Sequence, residues 1–424
     1  ESDETKDNNA AADTEEDAEE DPEETEKEPE DKYFAIIGGT VHTITDGELH
    51  GVTILTKNGK IERIGKGVAI PEGAETLDAS GLHVYPGLVA VASGGIVGGE
   101  PPEDTTDVYG LRMTIALAGG ITTAMTGQTA AKLTFGTLDD ITIRRNVFTP
   151  LRYSTREADA RRTLRAAFEK VRQYLRDLES YEEKKKTDPD EEEPDKEWIK
   201  GQYDTCLKLM RHETVAVVDA NTAHQLIDVC DLAERYGIRV VVRGAYEGWT
   251  VASRLARAGV SAIITPRKRQ LPDERSNRPN GSSIENASIL HDHGVPIAIV
   301  PGITSITTWG VAGRDLLHLN MEAAFAVRGG LSNDAALRAI TIDAARILGI
   351  DHRVGSIEVG KDADLIITDG DVMHYMTLVR HAIVNGRIVY DKQKESLYDH
   401  IRPDGDTDAP PPDDYWPRRL GADQ

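Results

Sequence analysis

Four ionisable residues sit at the ends of apolar runs in this sequence. Asp219 lies in VAVVDA and Arg243 in IRVVVRG; Glu247 follows three residues after Gly244, and Arg267 follows SAIITP. Carboxylates and guanidiniums gathered at strand ends suit either an anionic ligand or an internal Arg–carboxylate pair. The internal pair is the expectation. His291-Asp292-His293 has a His-x-His spacing suited to a metal, but it closes the helical stretch IENASILHDHG and precedes an apolar run. That placement predicts a structural role. His224 opens the helical stretch AHQL and is expected on a helix surface, while His42 and His352 fall outside the apolar-run ends. Ser93 heads the Gly-rich SGGIVGGE (93–100). It has no matched base, and the loop lacks both the Lys-Ser/Thr of a P-loop and the GxGxxG spacing. Cys206 and Cys230 are the two cysteines, too few for a disulfide scaffold or a four-thiolate zinc site.

The elements that must position these residues follow from periodicity. Residues 33–82 read as short strands, with Asp46-Gly47 and Asn58-Gly59 as hairpin-turn signals. From about Leu88 to Ile350, apolar runs (ITTAMT, VAVVDA, IRVVVRG, SAIITP, PIAIVPG) alternate with helical stretches that end at glycine. Fully apolar strands between helices imply a parallel sheet covered on both faces, and at this length an α/β fold of the (β/α)8, TIM-like barrel type. In such a barrel the chemistry sits at the C-terminal strand ends, and the N-terminal end, where His291 to His293 fall, is the stability face. Residues 156–200 interrupt the rhythm as a long amphipathic helix and a charged loop, read as an exposed insertion. Residues 354–391 return to strands. The expected domains are an acidic leader (1–31), a small composite β-sandwich (32–82 with 354–392), the barrel (83–353) and a Pro/Asp-rich tail (393–424).

Charge is unevenly spread. Of the net −24 over 424 residues, −14 lies in residues 1–32, leaving −10 for the rest. The leader carries no large apolar side chain and is expected to be a disordered, solvated segment. The acidic balance argues against nucleic-acid binding and a polybasic membrane anchor. A mean hydropathy of −0.42, with no apolar run near ~18 residues, argues against a transmembrane helix.

Several segments together resemble the amidohydrolase superfamily: YFAIIGGTVHTITD (33–46), Pro86-Gly87-Leu88, GIDHRVGSIEVGKDAD (349–364) and VNGRIVYD (384–391). The branch they resemble is that of the imidazolonepropionase-like, often exported hydrolases. The resemblance implies a (β/α)8 barrel with a composite β-sandwich, and hydrolysis of C–N bonds by a water bound to one or two divalent cations. It implies ligands at a His-x-His after strand 1, histidines after strands 5 and 6, and an Asp after strand 8. In this chain those positions hold Ala92 and Gly94, Asp219, Gly244 and Gly302. Glu247 matches the branch. Lys132 and Arg144 lie near the position of a carboxylated lysine, and neither matches it convincingly.

Ala and Gly supply no side-chain donor, and a divalent site needs about three or four. The expectation is therefore a pseudoenzyme with no cofactor, serving as a structural, regulatory or binding subunit. Asp219, Arg243 and Glu247 are the mouth residues that could act. Two alternatives stay open. One is an active hydrolase of cyclic amides or amidines with an unusual or metal-free site, zinc being required only there. The other is an interaction module using the leader and the inserted helix. Expected partners are copies of itself or a related amidohydrolase. A non-Met start and exported relatives favour the periplasm or cell envelope, with the cytoplasm as the alternative.

Overall fold

The computed structural model describes residues 31–153, 158–307 and 313–395. Nearly all of the acidic leader and of the C-terminal tail lie outside these residues. Seventeen strands occur among them. In chain order they are β1 (Tyr33–His42), β2 (Glu48–Lys57), β3 (Lys60–Gly65), β4 (Glu75–Asp78), β5 (His83–Pro86), β6 (Leu88–Ala90), β7 (Ile121–Thr126), β8 (Thr129–Lys132) and β9 (Thr142–Arg144). Then follow β10 (Phe148–Pro150), β11 (Val215–Ala220), β12 (Val240–Gly244), β13 (Ser261–Ile264), β14 (Ile297–Ile299), β15 (Leu365–Thr368), β16 (Val379–Val384) and β17 (Arg387–Asp391).

The first and last strands share one sheet, ordered β17-β16-β15-β5-β1-β2-β3, with β4 paired to β1. Strand β5 is the seam. It runs parallel to β1 and antiparallel to β15, with Leu365 opposite Pro86. Residues 83–86, expected to open the barrel, therefore belong to this composite sheet. Asn58 and Gly59 both have positive φ (49° and 83°) in the β2–β3 turn. That is the conformation a two-residue hairpin needs to match strand twist.

The barrel strands form two arcs: β10 to β14, all parallel, and β6 to β9. In the second arc β6 and β7 are parallel, while β8 and β9 add in antiparallel fashion. The arcs meet at one side through the Val147 N–H, which donates to the Gln128 carbonyl at 2.8 Å. At the other, Gly94 and Ser305 form an isolated parallel bridge. Alternate residues split between two cores. Val89, Val91, Val215, Val217, Val241, Ile263, Ala298 and Val300 pack inside, together with Ala344, Ala345 and Leu348 of the helix Ile342–Leu348. Ala216, Val218, Val242, Ala262 and Ile264 pack against the surrounding helices. Burial on both faces is why these strands read as unbroken apolar runs.

The inserted helix Ala158–Lys185 is not simply exposed. Leu164, Phe168 and Val171, spaced i, i+4, i+7, are buried in the helix-side core. The loop after it is held by Trp198, over which Lys170 Nζ sits 3.9 Å from the ring centroid. Among the described residues no helix is long and apolar enough to cross a membrane.

Candidate functional site

The inward series of each barrel strand continues past the core to the C-terminal ends. On β11, Val215 and Val217 point inside and Asp219 is next in phase; on β12, Val241 is followed by Arg243. The parallel register puts Asp219 opposite Arg243. Arg243 donates from Nε to Asp219 Oδ1 at 2.8 Å and from Nη2 to Oδ2 at 2.9 Å. Both carboxylate oxygens are thus engaged by one guanidinium, in the fork geometry that suits this pairing. The pair stands open to solvent, Asp219 at 70% and Arg243 at 46% side-chain exposure. Nearby, burial and then the Asp219 charge push the Tyr246 hydroxyl above its ordinary range.

The other positions where the resemblance implies metal ligands, Ala92, Gly94, Gly244 and Gly302, carry no side-chain donor. Gly94 is bridged to the loop after β14, and Ala92 packs on the inner core. A Cβ at Gly302 would meet nothing within 4 Å, and one at Gly94 only Ser305 at 3.9 Å. Gly244 differs. Its φ is +98°, and a Cβ there would lie 1.9 Å from Asn221 Oδ1, so a histidine at this position would be strained and would have to displace the Asn221 side chain. A catalytic divalent cation needs three or more converging N or O donors. At these five positions one carboxylate is available, Asp219, already held by Arg243. No group of three His, Cys, Asp or Glu is arranged for a metal among the described residues. The side chains present do not fit the superfamily's metal.

Glu247 is buried and serves as a local anchor. Its Oε2 accepts from Ala223 N–H at 2.8 Å and from Arg278 Nη1 at 2.9 Å; Oε1 accepts from Gly281 N–H at 3.1 Å. Burial pushes its carboxyl up, but these donors outweigh that and hold it below the ordinary glutamate range. It ties the start of helix Ala223–Tyr236 to the loop after β13. Arg267 pairs with Glu322 on helix Leu319–Arg328, through its own N–H at 2.8 Å and Nε at 2.6 Å.

Lys132 lies away from the mouth. It pairs with Thr123 near the start of β7, and its buried Nζ contacts Asp362 at 2.7 Å, Asp364 at 3.2 Å and the Asn385 side chain. Arg144 donates to the Leu348 and Gly349 carbonyls, closing the helix Ile342–Leu348. His291 and His293 end helix Asn286–Asp292 just before β14, exposed, and His224 is exposed at the start of its helix. His42 stacks on Tyr85 and His352 follows helix Ile342–Leu348. None of these reaches the rim. Ser93 Oγ donates to the Met125 carbonyl, and Gly98 N–H donates to Thr106 Oγ1, so neither arms a nucleophile or a phosphate loop.

Two features of the mouth were not among the expected residues. A cavity of about 870 Å³ opens beside β13 and β14, reached from Thr265 and Gly302 and walled in part by Lys268, Arg269 and Arg314. The signal for it was the basic run Arg267-Lys268-Arg269 in an acidic chain. The second is a dyad: Asp315 Oδ1 lies 2.9 Å from His318 Nδ1, while Oδ2 accepts from Thr307 N–H and Oγ1. Burial pushes the Asp315 carboxyl up, and the Thr307 and His318 donors reverse this, keeping it low.

Comparison with known proteins supports the architecture. The amidohydrolase family model matches residues 249–399. An imidazolonepropionase of Mesorhizobium japonicum is 32% identical over 142 residues, covering 32% of this chain and 31% of that protein. One from Thermoplasma volcanium is 30% identical over 124 residues, 27% of this chain and 28% of its own. The chain thus spans about a third or less of these relatives' length. An amidohydrolase structure from Thermotoga maritima superposes with a TM-score of 0.62 at 22% identity, covering 84% of this chain and all of that one. Sequence motifs, a family model matched over residues 249–399 and the fold thus agree in likening the chain to the amidohydrolase superfamily, and over part of its length it is similar to the imidazolonepropionases.

Proposed function

We propose that this protein keeps the amidohydrolase fold without its metal-dependent hydrolysis. It acts as a binding or regulatory subunit, alone or with copies of itself or an active relative. One observation carries the reading: of the five positions where the resemblance implies metal ligands, Asp219 alone has a side-chain donor, and Arg243 occupies both its oxygens. The cation's charge is replaced by a guanidinium. The test is metal analysis of the full chain after incubation with zinc, iron and manganese, followed by desalting. Far less than one equivalent is expected. Close to one equivalent, whose chelation abolishes a hydrolytic activity, would overturn the reading.

A second reading rests on the Asp315–His318 dyad. A buried carboxylate that fixes one imidazole nitrogen leaves the other free to take a proton. Such a pair suits a metal-free hydrolase of amide bonds, the bond named in the description of the matched amidohydrolase family. Hydrolysis of cyclic amides by the metal-free protein, lost in His318→Gln with the fold intact, would favour it over the first.

A further inference from the structure

We propose that the cavity beside β13 and β14 binds an amphiphilic organic anion: a carboxylate, sulfonate or phosphate head on an apolar body. This deepens the binding role proposed above and rests on it.

The charge argument comes first. Four cations line the cavity, Arg267, Lys268, Arg269 and Arg314, against one carboxylate, Glu322. Arg267 already satisfies Glu322 with its N–H and Nε. Among the described residues, no carboxylate lies within 4.0 Å of Lys268, Arg269 or Arg314. The cavity therefore holds three uncompensated positive charges in a chain of net charge −24. A solvated basic surface would explain exposed lysines. It does not explain the large apolar side chains that line the same cavity, Ile284, Ile303 and Phe325.

The second argument is shape and polarity. The opposite wall carries Ile284, Ile303 and Phe325, which are 50%, 43% and 37% exposed. Large apolar side chains exposed together in a concavity mark a binding surface. The Arg267 guanidinium lies 5.0 Å from the Phe325 ring centroid, so the cationic and apolar walls meet there. The volume, about 870 Å³, is ample for a bicyclic or extended apolar group. The cavity also contains Gly302, the strand-8 ligand position. Its missing side chain leaves open a space that the superfamily's aspartate would have filled.

The test is calorimetric titration of the full chain with 1-naphthyl phosphate, 1-naphthoate, 1-naphthol and inorganic phosphate. Binding of either naphthyl anion about tenfold or more tighter than both naphthol and inorganic phosphate is expected. The phosphate and carboxylate arms show which head is preferred. Lys268→Glu/Arg314→Glu should weaken the anions about tenfold or more with the unfolding midpoint unchanged. Lys268→Gln/Arg314→Gln replaces it if the reversal does not fold. Ile303→Ser should weaken the naphthyl anions but not inorganic phosphate. Equal affinity for naphthol, indifference to the charge variants, or no binding of either naphthyl anion would overturn the proposal. Metal content separates the two readings. Anion binding by a protein that also takes up stoichiometric zinc would keep the cavity assignment and sink the metal-free one.

Discussion

Lys132 Nζ and Asp362 Oδ2 lie 2.7 Å apart across 230 residues of sequence, and both side chains are almost fully buried. The lysine comes from β8 of the barrel, and the aspartate from the GKDAD segment that leads into the composite sheet. Asp364 and Asn385 share the same ammonium, and Arg353 and Lys60 bind Asp362 from outside. Removing one member of such a network leaves buried charges uncompensated.

Lys132→Met is therefore expected to lower stability by about 3–5 kcal/mol in denaturant unfolding, while Asp219→Ala at the exposed rim pair should cost no more than about 1 kcal/mol. A loss of less than about 1 kcal/mol for Lys132→Met would show that the cluster does not hold the two sheets together.

Glu247 sets a pH dependence. Its native carboxyl titrates below the ordinary glutamate value of about 4.3, so it stabilises the fold fully above that value. The contribution is lost as pH falls through the lower native value. The stability gap between wild type and Glu247→Gln should be about 1–3 kcal/mol at pH 7, constant down to about pH 5, and should shrink at more acid pH. Denaturant midpoints measured from pH 7 to pH 3 check this; a gap that widens in acid would contradict it.

The two rim glycines should respond differently to a methyl group. Gly244→Ala forces a left-handed backbone and displaces Asn221, and is expected to cost about 1–3 kcal/mol or more. Gly302→Ala enters open space and should change stability by less than about 1 kcal/mol. Equal effects in thermal unfolding would mean that the rim is not shaped as described.

Both cysteines should be silent in the native protein. Burial pushes the thiols up, Cys206 to about 12 and Cys230 to about 11, and the reactive species is the thiolate. Ellman's reagent at pH 8 should find no thiol in the folded chain and two in guanidinium; fast native reaction would contradict this.

Much of this architecture was legible because its signals are local. Each of β7, β11, β12 and β13 is a run of four to six residues with β-branched side chains, and Asn58-Gly59 encodes its own turn. The β8–β9 hairpin was not. Ala130 and Ala131 carry no periodic contrast, and only tertiary contact makes them strand. The buried stripe of the inserted helix was written in Leu164, Phe168 and Val171 but masked by the charges between them. At the mouth, Asp219 and Arg243 could be placed by strand phase alone. The cavity could not, because Arg314 and Glu322 join Arg267 from a segment about fifty residues further on.

The seam at β5 has a consequence during synthesis. The strand is made early, yet one of its two neighbours, β15, emerges only after the whole barrel, on the order of tens of seconds later. Until then, Val84 and Tyr85 present an apolar strand with an unsatisfied edge, the kind of template on which nascent chains pair wrongly. A stop or stall inside the barrel leaves that edge open permanently. Truncated products of this chain should therefore be found in the insoluble fraction, and a ribosome-bound chaperone that shields residues 83–86 should raise the yield of the full-length protein.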